Sequence, residues 1–302
     1  MSHPGHHHPN AMGRSLTLSL SITLGFAAIE ALTGWWAGSL ALLGDAGHMV
    51  TDSGALGIAA LATWLAGKGP SVRHSYGLGR AEFVAALVNA VIMLVVVVGI
   101  TVAAIQRLLQ PTAVKGEAVM AVAVLGFGVN LIVVWLLGRG HRNVNIRGAL
   151  LHVLGDLVGS VAAIASGAVI AVTGWTPIDP ILSLFIVLLI LFSGLRLLHE
   201  SLHALMEGVP FDISLPEVGR AMAAEEGVVS VHDLHIWSLS SERVALSAHV
   251  VVWDLKDWER VLACLRRLLQ ARFGIDHVTL QPERERRPLQ LLDGHSAGDR
   301  AQ

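Results

Sequence analysis

Apolar residues in the first two thirds of the chain fall into long runs, each about the 20 residues a membrane-crossing helix needs. Six can be read: Leu16–Gly38, Leu40–Gly67, Ala81–Leu109, Glu117–Gly138, Arg147–Gly174 and Ile178–His203. The breaks between them carry helix-stopping residues, as at Gly67-Lys-Gly-Pro70, Pro111, Gly138–Gly140 and Gly174-Trp-Thr-Pro177. Trp35, Trp36, Trp64 and Trp175 sit near the ends, where indoles prefer the membrane interface. After Met206 the pattern changes to that of a water-exposed domain. Leu215–Glu226 reads as a helix, Val228–Ser240 and Val244–Trp253 as alternating strands, Trp258–Phe273 as an amphipathic helix and His277–Gln281 as a short strand. The expected fold class is an α-helical membrane protein, a six-helix transmembrane bundle followed by a small αββαβ α+β domain. The boundaries are a His-rich tail at 1–15, the bundle at 16–205, the α+β domain at 206–283 and a charged, unstructured tail at 284–302.

Composition agrees with a membrane class: 53% of the 302 residues are hydrophobic, 15% are charged, and mean hydropathy is +0.62. The net charge of −2 and the scatter of Lys and Arg exclude a nucleic-acid partner, which needs a basic stripe. The single cysteine, Cys264, makes neither an internal disulfide nor a Cys-x-x-Cys site and reads as core filler beside Val261 and Leu265. Lys68, Arg73 and Arg80 lie in the second connection and Arg139, Arg142 and Arg147 in the fourth, so even-numbered loops and both termini are expected in the cytoplasm. No secretory signal is evident, so the first span is expected to direct insertion into the cell's inner membrane.

Ionisable side chains inside a bilayer are costly and need an explanation. The second span contains Gly44-Asp45-Ala-Gly-His48-Met-Val-Thr-Asp52 and the fifth contains Leu151-His152-Val-Leu-Gly-Asp156. Each holds a His and an Asp four residues apart, which share one helical face. One such pair would fit a structural hydrogen bond; the same pair on two spans points to a shared four-ligand set, two imidazole nitrogens and two carboxylates, suited to tetrahedral Zn²⁺. Gly54, Gly57, Gly155 and Gly159 would let the two backbones approach. Asp45 faces an exit pathway or lies near the outer surface. Asn89 and Asn130 read as packing amides, and Glu30 is isolated and unassigned.

With His74-Ser-Tyr-Gly-Leu-Gly-Arg-Ala-Glu82, Glu200-Ser-Leu-His-Ala-Leu-Met-Glu-Gly-Val-Pro210 and Val231-His-Asp-Leu-His-Ile-Trp-Ser238, these segments make the chain resemble the cation diffusion facilitators from about Leu16 to Glu283. That family exchanges cytoplasmic metal for external protons. The resemblance implies a homodimer of six-helix protomers, each with its own transport site and a cytoplasmic ferredoxin-like domain that pairs with its twin. It also implies that a His-Asp/His-Asp site goes with zinc, often with cadmium, in line with the preference of imidazole for Zn²⁺. Relatives also bind metal in the cytoplasmic domain, and the matching positions are His232, His249, His277 and Glu283. His277 and Glu283 share strand parity, and His249 lies opposite the apolar residues of its strand. His232 shares the parity of Leu234 and Ile236, as a core histidine would. A loop site found in some relatives is broken, since Leu78 stands where a second His is needed beside His74.

Ser2-His-Pro-Gly-His6-His-His-Pro-Asn10 reads as a metal-catching tail or simply as a solvated segment. His199-Glu200-Ser-Leu-His203 matches H-E-x-x-H, the helical zinc motif of metalloproteases, so an intramembrane protease is the rival from another class. The motif falls where the sixth span ends and leaves both His-x-x-x-Asp pairs unexplained. A membrane metal sensor without transport would not need four ionisable groups at membrane depth.

Overall fold

The computed structural model describes residues 9–138 and 144–285, except the side chains of residues 9–20, 52, 56, 59, 136–138 and 144–153. The histidine-rich start of the chain and the segment after residue 285 lie outside the described residues. The chain divides into two compact units, Met1–Leu205 and Met206–Gln302.

The first unit is built from α1 (Pro9–Ala37), α2 (Leu40–Ala66), α3 (Ala81–Leu109), α4 (Gly116–Gly138), α5 (Val144–Thr173) and α6 (Ile178–Leu205). Among the described residues, five helices, α2 to α6, are long and apolar enough to cross a membrane. α1 begins earlier than the apolar pattern suggests, at Pro9, a residue suited to a first turn whose N–H needs no partner. The main neighbours are α4 with α5 and α3 with α6, while α2 touches α1, α3, α5 and α6.

Small residues make these contacts close. Ala41, Ala123, Ala162 and Ala163 are buried in the helical core with Leu42 and Ile186. Where α4 crosses α5, a Cβ added to Gly167 would stand 2.5 Å from the Met120 nitrogen, so only glycine permits that approach. At the start of α2, Gly38 takes a positive φ of 71° and Ser39 caps the helix. The completely buried Asp179 of α6 binds the same turn, accepting from Ser39 Oγ at 2.5 Å and from the Leu40 N–H at 2.6 Å. Arg107 of α3 lies 3.8 Å from Asp179 and donates to the Gly38 carbonyl, and Ser166 of α5 donates to Asp179 at 3.3 Å.

The second unit comprises α7 (Leu215–Ala223), β1 (Val228–Ser238), β2 (Val244–Val252), a 3-10 turn at Leu255–Asp257, α8 (Trp258–Phe273) and β3 (His277–Arg284). The sheet order is β1-β2-β3, with β1 antiparallel and β3 parallel to β2. Val218 and Met222 of α7 and Val261, Leu265 and Leu269 of α8 pack on Leu246 and Val250. α7 ends at Ala223, short of the expected Glu226. α8 stops where Gly274 turns left-handed at φ 68°, letting the Ile275 N–H reach the Leu269 carbonyl at 3.1 Å. Cys264 is half-buried at the margin of this face, with Arg267 Nη2 3.4 Å from its sulfur, so it is not core filler.

Candidate metal centres

In the first unit α2 and α5 bring one member of each His-x-x-x-Asp pair together, with His48 Nε2 3.6 Å from Asp156 Oδ1. Two ligands held at about 2.0–2.1 Å by one tetrahedral zinc stand roughly 3.4 Å apart, so this spacing is close to that of two ligands of one ion. Asp52 and His152 lie four residues from these partners on α2 and α5, and their side chains are outside the described residues.

Two further carboxylates belong to the same interior. Asp45, 2% exposed, is buried within the bundle. Gly159 makes room for it: a Cβ there would stand 3.0 Å from Asp45 Oδ1. Glu30 of α1, 1% exposed, lies near enough to Asp45 and Asp156 for their charges to interact, so it is not isolated. Its Oε2 has no hydrogen-bond partner among the described residues. Nothing in the sequence marks Glu30 as their neighbour, because helix pairing is not encoded in the spacing of one span. A cavity of about 280 Å³ is lined by Asp45 and His48, with Asn89 and Ser193 among others. Carboxylates crowded in a low-dielectric interior repel one another and favour a bound cation.

The second unit assembles a separate cluster on the sheet face away from its helices. His232 Nε2 lies 3.0 Å from Glu283 Oε2 and His249 Nδ1 lies 2.7 Å from Glu283 Oε1. One donor atom from each of the three falls within 4.8 Å of the others. Hydrogen bonds from His232 first, then from His249, hold the Glu283 carboxyl below its ordinary range. Two imidazoles and a carboxylate are donor types that can hold a metal ion such as zinc.

Strand parity places His232 on the core side, and the structure corrects this. β1 shifts register between His232 and His235, where Asp233 adopts a positive φ of 52°. The bulge reverses the alternation, so His232 pairs across the sheet with His249 while Ile236 stays buried. Asp233 then lies 3.0 Å from His235 Nε2 and 3.8 Å from His249 Nε2, a carboxylate beside the candidate ligand's other nitrogen. His277 starts β3, six residues from Glu283, and is not in the cluster that the described residues form. At about 3.3 Å per residue that separation is too long for one ion to bridge within a protomer.

Glu200 of the H-E-x-x-H segment is bound to Arg196 at 2.8 Å, one turn away on α6, with His199 and His203 ring centroids 6.2 Å apart. Asn130 does act as packing glue, donating to Ser160 Oγ at 3.3 Å between α4 and α5.

Residues 16–206 match the cation efflux transmembrane domain, and residues 210–285 match the cation efflux protein cytoplasmic domain. The chain belongs to the cation diffusion facilitators: it is a multi-pass membrane transporter of cations and not an enzyme. Zinc transporter ZitB of Escherichia coli (strain K12) is 41% identical over 286 residues, 93% of this chain and 91% of the relative. The cadmium, cobalt and zinc/H(+)-K(+) antiporter of Bacillus subtilis (strain 168) is 38% identical over 288 residues, 93% of this chain and 92% of the relative. Among solved structures, the metal-bound C-terminal domain of the CzcD transporter of Cupriavidus metallidurans is 42% identical, covers 24% of this chain and 99% of its own, and has a TM-score of 0.22.

Proposed function

We propose that this protein exports Zn²⁺, and Cd²⁺ with it, from the cytoplasm in exchange for protons, through an intramembrane site formed by His48, Asp52, His152 and Asp156. The observation that carries this reading is the approach of His48 to Asp156 at 3.6 Å, which joins the two repeated His-x-x-x-Asp pairs across α2 and α5. Imidazole with carboxylate is a donor set suited to zinc. The relatives' names point the same way, two being a zinc transporter and a cadmium, cobalt and zinc/H(+)-K(+) antiporter.

In this reading the protein lies in the inner membrane with both termini cytoplasmic, and residues 206–283 pair with the same domain of a second copy. His232, His249 and Glu283 hold a further zinc ion there, and Asp233 orients His249. His277 would serve only if it came from the partner of such a dimer. Zinc flux into vesicles carrying the purified protein tests the proposal. Asp156→Ala and His48→Ala should each abolish flux while the protein still elutes as a folded species. Normal transport by both variants would sink the site.

A further inference from the structure

Asn89 is 7% exposed on α3, in a bundle where buried amides are expected to join helices. Asn130 does so, whereas the Asn89 Nδ2 is turned to Met93 Sδ in its own helix at 3.8 Å. The Asn89 Oδ1 has no hydrogen-bond partner among the described residues. A buried carbonyl oxygen left without a donor is a standing cost to the fold, so its retention asks for a use. Asn89 lines the same cavity as His48 and Asp45, and its Oδ1 is itself enclosed.

Helix register sets its depth. Gly44 of α2 packs against Ile100 of α3 and Gly47 against Val96, so the two helices run antiparallel along this contact. From Val96 back to Asn89 is about 10 Å at 1.5 Å per residue, and the same rise from Gly47 along α2 ends within a turn of Asp52. Asn89 therefore stands level with the backbone of Asp52, on the side of His48 that leads to the 67–80 connection.

We propose that the Asn89 amide oxygen is a further ligand to the transported cation, supplied by α3 beside the paired His/Asp faces. The inference rests on the transport-site reading above and adds a donor to it. Two His and two Asp complete a tetrahedral shell, so a neutral oxygen acts when coordination expands to five during ligand exchange. It adds no charge, so it replaces a water of the arriving ion without trapping it. A carboxylate at the same position would harden the site towards Mn²⁺.

Zinc uptake by full-length protein in proteoliposomes, with Mn²⁺ as competitor, tests this on two near-isosteric variants. Asn89→Leu fills the space and removes an oxygen that has no partner among the described residues, so its melting temperature in detergent should match or exceed the wild type's. Its KM for zinc should nevertheless rise roughly tenfold, the low end of what loss of a supporting group costs a metal site. Asn89→Asp should keep transporting while Mn²⁺ competes at roughly tenfold lower excess. A wild-type KM in Asn89→Leu, or a lowered melting temperature that accompanies its loss of transport, would overturn the proposal. So would an unchanged Mn²⁺/Zn²⁺ ratio in Asn89→Asp, which alone decides if the leucine variant does not accumulate. Asp156→Ala, run in parallel, separates the two readings: inactive beside a wild-type-like Asn89→Leu, it removes Asn89 and keeps the site; active, it removes the site itself.

Discussion

Asp179 gathers donors from three other helices: Ser39 and the Leu40 N–H at 2.5 and 2.6 Å, Ser166 at 3.3 Å and the Arg107 guanidinium at 3.8 Å. The carboxylate is wholly enclosed, so Asp179→Ala would leave Arg107 without its counter-charge and strip the start of α2 of an acceptor. Breaking a fully buried charge pair by removing one partner costs about 3–5 kcal/mol, and the loss is smaller here because the Arg107 side chain is 23% exposed. Asp179→Ala should therefore lower the melting temperature of the detergent-solubilised protein clearly, with Asp179→Asn intermediate. Unchanged melting in both would mean that the knot contributes nothing. This residue was not legible in the sequence, where it is an acid before Pro180 at a helix start. Its meaning comes from Ser39 and Leu40, which are 140 and 139 positions away. Glu30 is hidden for the same reason. His48 and Asp156 were legible because each repeats within one span a pattern that the other span also carries.

Among the elements, the helices of the first unit were readable to within a few residues at most ends, since a long apolar run has few alternatives in a membrane. The strands of the second unit were also readable, but the face of β1 was not. Parity assumes an unbroken pleat, and Asp233 interrupts it with φ 52°, a conformation that Asp tolerates better than most residues but does not announce. The bulge is what carries His232 to His249 and Glu283. Asp233→Gly should keep that conformation and retain zinc in the cluster with at most about tenfold loss, from the missing carboxylate beside His249. Asp233→Val, β-branched and strongly opposed to positive φ, should restore the alternation, turn His232 inward and abolish cluster binding. Zinc competition against a chelator, in an Asp156→Ala background, reads both. Equal affinity in the two variants would separate the cluster from the bulge.

At the scale of the whole protein, the two candidate metal centres place different demands on a measurement of proton coupling. Zn²⁺ binds neutral imidazole and ionised carboxylate, so binding at the proposed intramembrane site would compete with protons on His48 and His152 and release any they hold. A site that alternates between a neutral cytoplasm and a more acidic exterior then loads metal on one side and exchanges it for protons on the other. Export is expected to be driven by an inward proton gradient, and zinc affinity should fall with acidity by at most about two protons per metal from the two imidazoles. The second unit would obscure this, because His232 and His249 face the same competition. The measurement therefore calls for His232→Ala and His249→Ala in a chain lacking residues 1–8, with zinc binding followed from about pH 5.5 to 8, the range that brackets imidazole chemistry. In vesicles of the same variant, zinc uptake should accelerate when the interior is made acidic and fall back when a protonophore dissipates the gradient. Binding indifferent to pH, or flux indifferent to the gradient, would leave a passive facilitator in which the carboxylates set affinity and the imidazoles never exchange a proton.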